Sequence, residues 1–135
     1  MADLYTEQRI KEKHHIEKIA LAQIPSGTAE ETFEKPIFVA PRDGTITKIV
    51  VVPAASISGD DTDYFVMKIN NKTQATVVAI QSMTPSTSSW AWWAGIELTV
   101  DNATLSEGDV ISFEKDIANS GLINPDMCVA VTFRY

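Results

Sequence analysis

The chain has 135 residues and a mass of 14.8 kDa, with 44% hydrophobic and 21% charged residues, which is the composition of one globular domain. Its formal net charge of -7 opposes binding to phosphate backbones and anionic lipid, so we expect neither a nucleic acid nor a membrane partner. The single cysteine, Cys128, excludes an intramolecular disulfide. The polar start and the lack of a long apolar run predict folding in a reducing cytoplasm.

Residues 1–15 are predicted to form a polar N-terminal arm. They carry both signs of charge and contain good helix formers at 6–13, while Leu4, Tyr5 and Ile10 are the only sizeable apolar side chains. A stripe this thin does not stabilise a short helix alone in water. We therefore expect the arm to be either mobile or ordered by a partner, and we take Leu4, Tyr5 and Ile10 as candidate interface residues.

From residue 16 onward, short apolar runs rich in β-branched residues are separated by Gly, Pro, Asn, Asp and Ser, which is typical of successive β-strands. The predicted strands are 16–24, 31–40, 45–52, 64–70, 76–82, 90–100, 110–115 and 127–135. The run at 16–24 also fits a helix that continues from the arm. Pro36 lies inside the second run, which predicts an edge strand or a β-bulge there.

Several of these runs alternate between apolar and polar residues, so one face of each strand is expected to be buried. The predicted inward side chains are Phe65, Met67 and Ile69; Ile96, Leu98 and Val100; Ile111 and Phe113; and Val129, Val131 and Phe133. Half-buried strands of this kind belong to antiparallel sheets, and two such sheets pack face to face. The sequence thus predicts an all-β, antiparallel two-sheet sandwich over residues 16–135, jelly-roll-like, with about eight strands.

The sequence offers few groups for catalysis. Its only histidines, His14 and His15, are adjacent in the arm and project in different directions, so they do not predict a metal site. Cys128 lies inside a predicted strand without a base in the folded body, and is expected to pack in or beside the core. We predict a protein that is not an enzyme, with no catalytic residues, no cofactor and no metal.

The loop at 59–63 places Asp60, Asp61 and Asp63 close together. It lacks the ordered ligand spacing of an EF-hand. We interpret it as a turn whose carboxylates accept hydrogen bonds from nearby backbone N–H groups, with a bound cation as the alternative.

Three tryptophans, Trp90, Trp92 and Trp93, follow a Ser-rich loop. In a continuous strand, Trp90 and Trp92 would share one face and Trp93 would take the other, so a single core does not account for all three. They are candidate interface residues, and the alternatives are a platform for sugar stacking or a cap on one end of the sandwich.

Four segments resemble a group of small proteins encoded among the head genes of tailed bacteriophages. They are IFVAPRDGTITKIVVVPAA at 37–55, GDDTDYFVMKINNK at 59–72, LSEGDVISFEK at 105–115 and GLINPDMCVAVTF at 121–133. These motifs are turn-and-strand patterns that cover most of the body but not the arm.

The resemblance implies a structural virion protein, of the auxiliary type that decorates or cements the capsid. It implies a major capsid protein as partner, homotrimers, a place on the capsid surface of the virion after synthesis in the host bacterial cytoplasm, and no catalytic residues. The alternative function is a glycan-binding sandwich module of a head or tail fibre that uses the tryptophans.

Overall fold

The computed structural model describes residues 16–84, 89–91 and 93–135, and these residues form two antiparallel β-sheets. The strands are β1 (Glu17–Ile24), β2 (Phe33–Val39), β3 (Gly44–Pro53), β4 (Tyr64–Asn71), β5 (Thr76–Ser82), β6 (Ile96–Leu98), β7 (Thr104–Leu105), β8 (Val110–Ala118) and β9 (Met127–Arg134). Among the predicted interface residues, Leu4, Tyr5, Ile10 and Trp92 lie outside the described part of the chain.

The strand order is that of a jelly roll. One sheet has the order β1-β9-β3-β6, with β7 also paired to β3, and the other has the order β2-β8-β4-β5. The chain changes sheet at each step from β1 to β4, makes one hairpin between β4 and β5, and changes sheet again between β5 and β6 and on either side of β8. This wiring interleaves two Greek keys, so the predicted sandwich and its jelly-roll character are confirmed.

The core lies between the two sheets and is built by the predicted alternation. Phe65, Met67 and Ile69 of β4 are fully buried, as are Ile111 and Phe113 of β8. They face a second buried set from the other sheet, namely Ile46, Ile49, Val51, Val129, Val131 and Phe133. Alternate residues of a strand project to opposite sides, so the period-two pattern selected the buried side chains of β4, β8 and β9, whereas it assigned no face to the apolar run in β3.

Pro36 behaves as predicted. It lies in β2, which is an edge strand of the four-stranded sheet, and the pairing of β2 with β8 shifts register between Pro36 and Phe38. The residue without a backbone N–H therefore stands where the ladder is already interrupted. The run at 16–24 is a strand, β1, and not the alternative helix.

The prediction of a strand over 90–100 is wrong for most of its length. Only Ile96–Leu98 forms a strand, and Trp90 makes a single bridge with Ile57. Trp93 has φ of 61°, a left-handed conformation that interrupts an extended chain. The predicted alternation of the tryptophans therefore does not apply. The two-residue strand β7 was also missed, and β8 extends three residues past its predicted end.

Asp109 is a buried acidic residue that organises the loops at one end of the sandwich. Its Oδ2 accepts hydrogen bonds from Asn71 Nδ2 at 2.9 Å, Gln74 Nε2 at 2.6 Å and the Ser106 backbone N–H at 2.9 Å. The hydrogen bond from Asn71, followed by that from Ser106, holds the pKa of Asp109 below its usual value. The turn before β8 is thereby joined to the end of β4.

Lys115 is a charged side chain on an inward position of β8, with 1% of its surface exposed. Its Nζ donates to the Thr28 carbonyl at 2.8 Å and to Asn124 Oδ1 at 2.9 Å, and it lies 5.4 Å from the centre of the Phe65 ring. Desolvation lowers the pKa of Lys115, while the charge of Glu31 opposes that shift. The lysine thus links two loops at the other end of the core.

Candidate interaction surface

The outer face of the five-stranded sheet is apolar at its centre. In register across β1, β9 and β3, Leu21 lies opposite Ala130, and Ala130 lies opposite Val50. Residues directly opposite on a ladder share a face. All three point away from the core, because their neighbours Val129, Val131 and Val51 are buried. This row carries no charge until it reaches Glu97 on β6.

The two neighbouring rows extend this surface. The next outward row on one side of it consists, across β1, β9 and β3, of Gln23, Cys128 and Val52. The next outward row on the other side consists of Ile19, Thr132 and Lys48. Ile19 and Leu21 are 66% and 70% exposed, and Val50 and Val52 are half-buried. We call the set Ile19, Leu21, Val50, Val52, Cys128 and Ala130 the apolar face.

Trp93 lies at the margin of the apolar face. Its backbone N–H donates to the Pro53 carbonyl at 2.8 Å, at the end of β3. A Cβ on Gly95 would lie 3.3 Å from Val50 Cγ1 and 3.9 Å from Val52 Cγ2, so this segment runs close beside the outer side of β3. The indole of Trp93 is 64% exposed. A large, exposed aromatic side chain therefore lies beside the apolar face.

Trp90 has a different environment from Trp93. It is 7% exposed and belongs to the core, and its backbone exchanges two hydrogen bonds of 2.8 Å with Ile57. This position matches the end-cap alternative that the sequence left open. Of the two tryptophans that the structure describes, Trp93 is therefore the one with an exposed ring.

The outer face of the four-stranded sheet is charged and internally paired. Asn70 Nδ2 donates to Glu34 Oε2 and to Glu114 Oε1, both at 3.0 Å. Lys72 Nζ lies 2.8 Å from Glu34 Oε1, and this hydrogen bond is the main cause that lowers the pKa of Glu34 and raises that of Lys72. A shallow depression of about 290 Å³ is lined by Asn70, Lys72 and Glu114 of this network, among other residues. The two outer faces therefore differ in character: the first is apolar at its centre, whereas the second carries charged and amide groups that bind each other.

The acidic loop forms the predicted turn. Asp60 Oδ1 accepts hydrogen bonds from the backbone N–H groups of Thr62 at 2.8 Å and Asp63 at 2.7 Å. The bond from Asp63 is the main cause that lowers the pKa of Asp60. Asp63 Oδ1 in turn accepts from the Ser120 N–H at 3.1 Å, which connects this loop to the end of β8. These carboxylates stabilise the backbone of the turn.

Within residues 16–84, 89–91 and 93–135, no three His, Cys, Asp or Glu side chains are grouped so as to hold a metal ion. His14 and His15 lie outside those residues. Cys128 is half-buried on the apolar face between Gln23 and Val52, beside the core as predicted. The described part of the chain has no helix with the length and apolar character that a membrane crossing requires.

Sequence reasoning missed the apolar face because its residues come from strands far apart in the chain. Val50 and Val52 occur in a continuous apolar run, which does not show which valines face outward. The alternation at Ile111, Phe113 and Lys115 did contain a signal for the buried lysine, since these three positions share a face. Asp109 carried no signal beyond its position in a turn.

Comparison with known proteins shows similarity at the level of the fold. No protein family model matches the chain, and no curated protein matches it in sequence. A solved structure described as a cyanophage Pam1 capsid asymmetric unit contains a chain with the same fold, at a TM-score of 0.58 and 16% sequence identity. The alignment covers 89% of this chain and 85% of that chain. The two chains therefore share their architecture over nearly their whole length.

Proposed function

We propose that this protein is a structural component of a tailed-bacteriophage virion: an auxiliary decoration or cement protein that binds the major capsid protein at the capsid surface. It stabilises the shell, and the arm at 1–15 contacts neighbouring subunits. The protein assembles as homotrimers after synthesis in the host bacterial cytoplasm. The proposal assigns it no catalytic activity, no cofactor and no metal.

The observation that carries this proposal is the apolar face with Trp93 at its margin. A face of this kind at the centre of a sheet is unusual on a chain that acts alone, and aromatic side chains are enriched where proteins bind each other. The fold is also that of a chain in a cyanophage capsid unit, which supports a role in a shell. The charged outer face, whose groups already bind each other, remains toward solvent.

A matched pair of substitutions tests which face attaches to the shell. Val52 and Val66 are both half-buried valines on central strands, one on the apolar face and one on the charged outer face. Particles produced without this protein are mixed with purified wild type, Val52→Lys or Val66→Lys, and the bound protein is measured by co-sedimentation. We expect Val66→Lys to bind as wild type does and Val52→Lys to lose binding at least tenfold, with both variants still folded by circular dichroism.

Two further measurements bear on the proposal. Removal of residues 1–15 is expected to reduce attachment while the body stays folded, and particles that carry the protein are expected to rupture at a higher temperature than bare ones. Failure of the folded wild-type protein to bind bare particles, together with its absence from purified virions, would contradict the proposal.

The glycan-binding alternative has one observation in its favour, the exposed ring of Trp93. It predicts a glycan-array signal that Trp93→Ala abolishes. A silent array would exclude this alternative and leave the attachment experiment unaffected.

A further inference from the structure

Within residues 16–84, 89–91 and 93–135, β1 pairs with β9 on one side and with no strand on the other, so one edge of β1 is open. Ile16 and Tyr135 exchange two backbone hydrogen bonds, of 2.8 and 3.0 Å, at the start of the β1–β9 ladder. This ladder is antiparallel and has no register shift, so every second residue of β1 repeats that geometry. The residues between them, Glu17, Ile19, Leu21 and Gln23, therefore direct their N–H and C=O groups away from β9. The Lys35 amine, which donates to the Gln23 carbonyl at 2.6 Å, marks that open side.

The other edges of the sandwich are short or protected. β2 contains a proline and a bulge, and β6 has three residues. On β5, the carbonyls of Val77 and Val78 accept hydrogen bonds from Asn102 Nδ2 at 2.9 Å and from the Asp101 N–H at 2.7 Å. Among the residues that the structure describes, β1 is thus the one long edge strand with no proline, no bulge and no segment laid along it. Such an edge is a template for pairing with another strand.

The side chains on this edge are apolar as well. Ile19 and Leu21, whose backbone groups are directed to the open side, are also the two most exposed aliphatic residues of β1. Natural edge strands usually carry charges or prolines at such positions. Exposed backbone and exposed apolar side chains at the same residues indicate a surface that a further strand covers.

We propose that β1 pairs antiparallel with β1 of a second copy of this chain, about a two-fold axis that passes through Ala20. In this register each open-edge residue of one copy lies opposite an open-edge residue of the other. Both copies therefore donate and accept backbone hydrogen bonds along the whole strand. Ile19 of each copy lies directly opposite Leu21 of the other, and the four side chains form one apolar cluster. The contact is isologous and closes as a dimer.

Neighbouring registers are less favourable. A shift of one residue would place open-edge residues opposite residues whose backbone groups are already bonded to β9, so the ladder would not form. A shift of two residues would leave one apolar pair on the axis, Ile19 with Ile19 or Leu21 with Leu21, and would place the other apolar residue opposite Glu17 or Gln23. The axis at Ala20 is the register that combines the hydrogen bonds with two apolar pairs.

The charges near the edge also complement each other in this register. Glu17 of one copy lies opposite Gln23 of the other, the residue whose carbonyl receives the Lys35 amine. The carboxylate is therefore brought toward an ammonium group, and no two like charges stand opposite each other. The Gln23 carbonyl has two lone pairs and can keep Lys35 while it accepts a new N–H.

The pairing would join the two five-stranded sheets into one and place the two apolar faces side by side. It goes beyond the virion role and does not depend on it, because the contact forms between two copies in solution. Homotrimers whose β1 edges all pair in this way form hexamers or larger even-numbered assemblies, so the pairing adds to the proposed three-fold contact and does not replace it.

Disulfide trapping tests the register. In a Cys128→Ser background, Ala20→Cys would place the two new cysteines opposite each other with Cα atoms roughly 4.5 Å apart, within disulfide range. Ala22→Cys is a matched control on the same side of β1 and also half-buried, but the two copies of this residue would be about 13 Å apart. On mild oxidation we expect a linked dimer for Ala20→Cys and at least a tenfold slower reaction for Ala22→Cys. Equal or absent linking in both variants would overturn the proposal.

Light scattering of the uncross-linked protein provides the second measurement. Wild type is expected at an even multiple of 14.8 kDa, and Leu21→Lys at half that mass or less. Ile80→Lys makes the same change at a 58% exposed residue of another edge strand, and should keep the wild-type mass. A monomeric or trimeric wild type would refute the pairing. Linking of Ala20→Cys only after removal of residues 1–15 would show that the arm occupies this edge instead.

Discussion

The carboxylate of Asp109 allows a sharp test of how the loops are held at one end of the sandwich. In Asp109→Ala the buried amide of Asn71 loses its acceptor, which costs about 2 kcal/mol, and the Ser106 N–H loses its acceptor for about 1 kcal/mol. Gln74 is exposed and can bind water instead, so it adds little. We therefore expect a loss of about 3 kcal/mol in the free energy of unfolding and of about 10 °C in the melting temperature.

Asp109→Asn separates the charge of this residue from its geometry. All three donors bind Oδ2, so the amide oxygen of an asparagine can accept the same three hydrogen bonds. The substitution then loses only the extra strength that the charge gives these bonds, about 1 kcal/mol. The folded protein holds the pKa of Asp109 below 3.8. The stabilisation that its charge contributes to folding is therefore fully present above pH 3.8, the ordinary pKa of the group. It is lost as the pH falls through the lower pKa of the folded protein.

Urea unfolding followed by circular dichroism measures these differences, at neutral pH and in steps down to strongly acidic pH. The gap between wild type and Asp109→Asn is expected to be constant at neutral and mildly acidic pH and to close below pH 3.8. Glu107→Ala, at an exposed carboxylate of the same turn, is the control and should leave stability unchanged within about 0.5 kcal/mol. A loss under about 1 kcal/mol in Asp109→Ala, or a gap that persists in strong acid, would refute the reasoning.

Three further predictions concern folding stability, each measured by urea unfolding. Gly121→Ala places a Cβ in a clash with the backbone carbonyl oxygen of Ala29, at φ of 71°, and should cost more than about 3 kcal/mol. Gly108→Ala, at φ of 88° in open space, should cost only about 1 kcal/mol, and equal costs would contradict the clash. Lys115→Met leaves two acceptors without a donor and should cost about 2 kcal/mol. Burial lowers the pKa of Lys115 in the folded protein, so below pH 10.5 the unfolded chain holds a proton that the folded protein has already lost. The free energy of unfolding of wild type should therefore rise relative to that of Lys115→Met as the pH approaches 10.5, and a fall in this difference would be inconsistent with the burial. Trp90→Ala should cost about 4 kcal/mol, and a change under about 1 kcal/mol would show that the indole is not part of the core.

Local patterns in the sequence were sufficient for the fold class and much of the core. The alternation at Phe65, Met67 and Ile69 needs no knowledge of partners, because the period of a strand determines which side chains share a face. Pro36 likewise indicated an edge or a bulge from its missing N–H alone. The same reasoning failed at Trp90–Gly95, where apolar residues suggest a strand but Trp93 adopts a left-handed turn.

The sequence by itself determined that extended segments would bury one side and that these would close into a sandwich. Only the tertiary structure decided which outer face is apolar and which edge is open. Both depend on strand neighbours that are far apart in the chain: Leu21, Val50 and Ala130 meet because β9 pairs with both β1 and β3. Whether a backbone group is satisfied, or an outward side chain is covered, is a property of those neighbours, and period-two alternation contains no information about them.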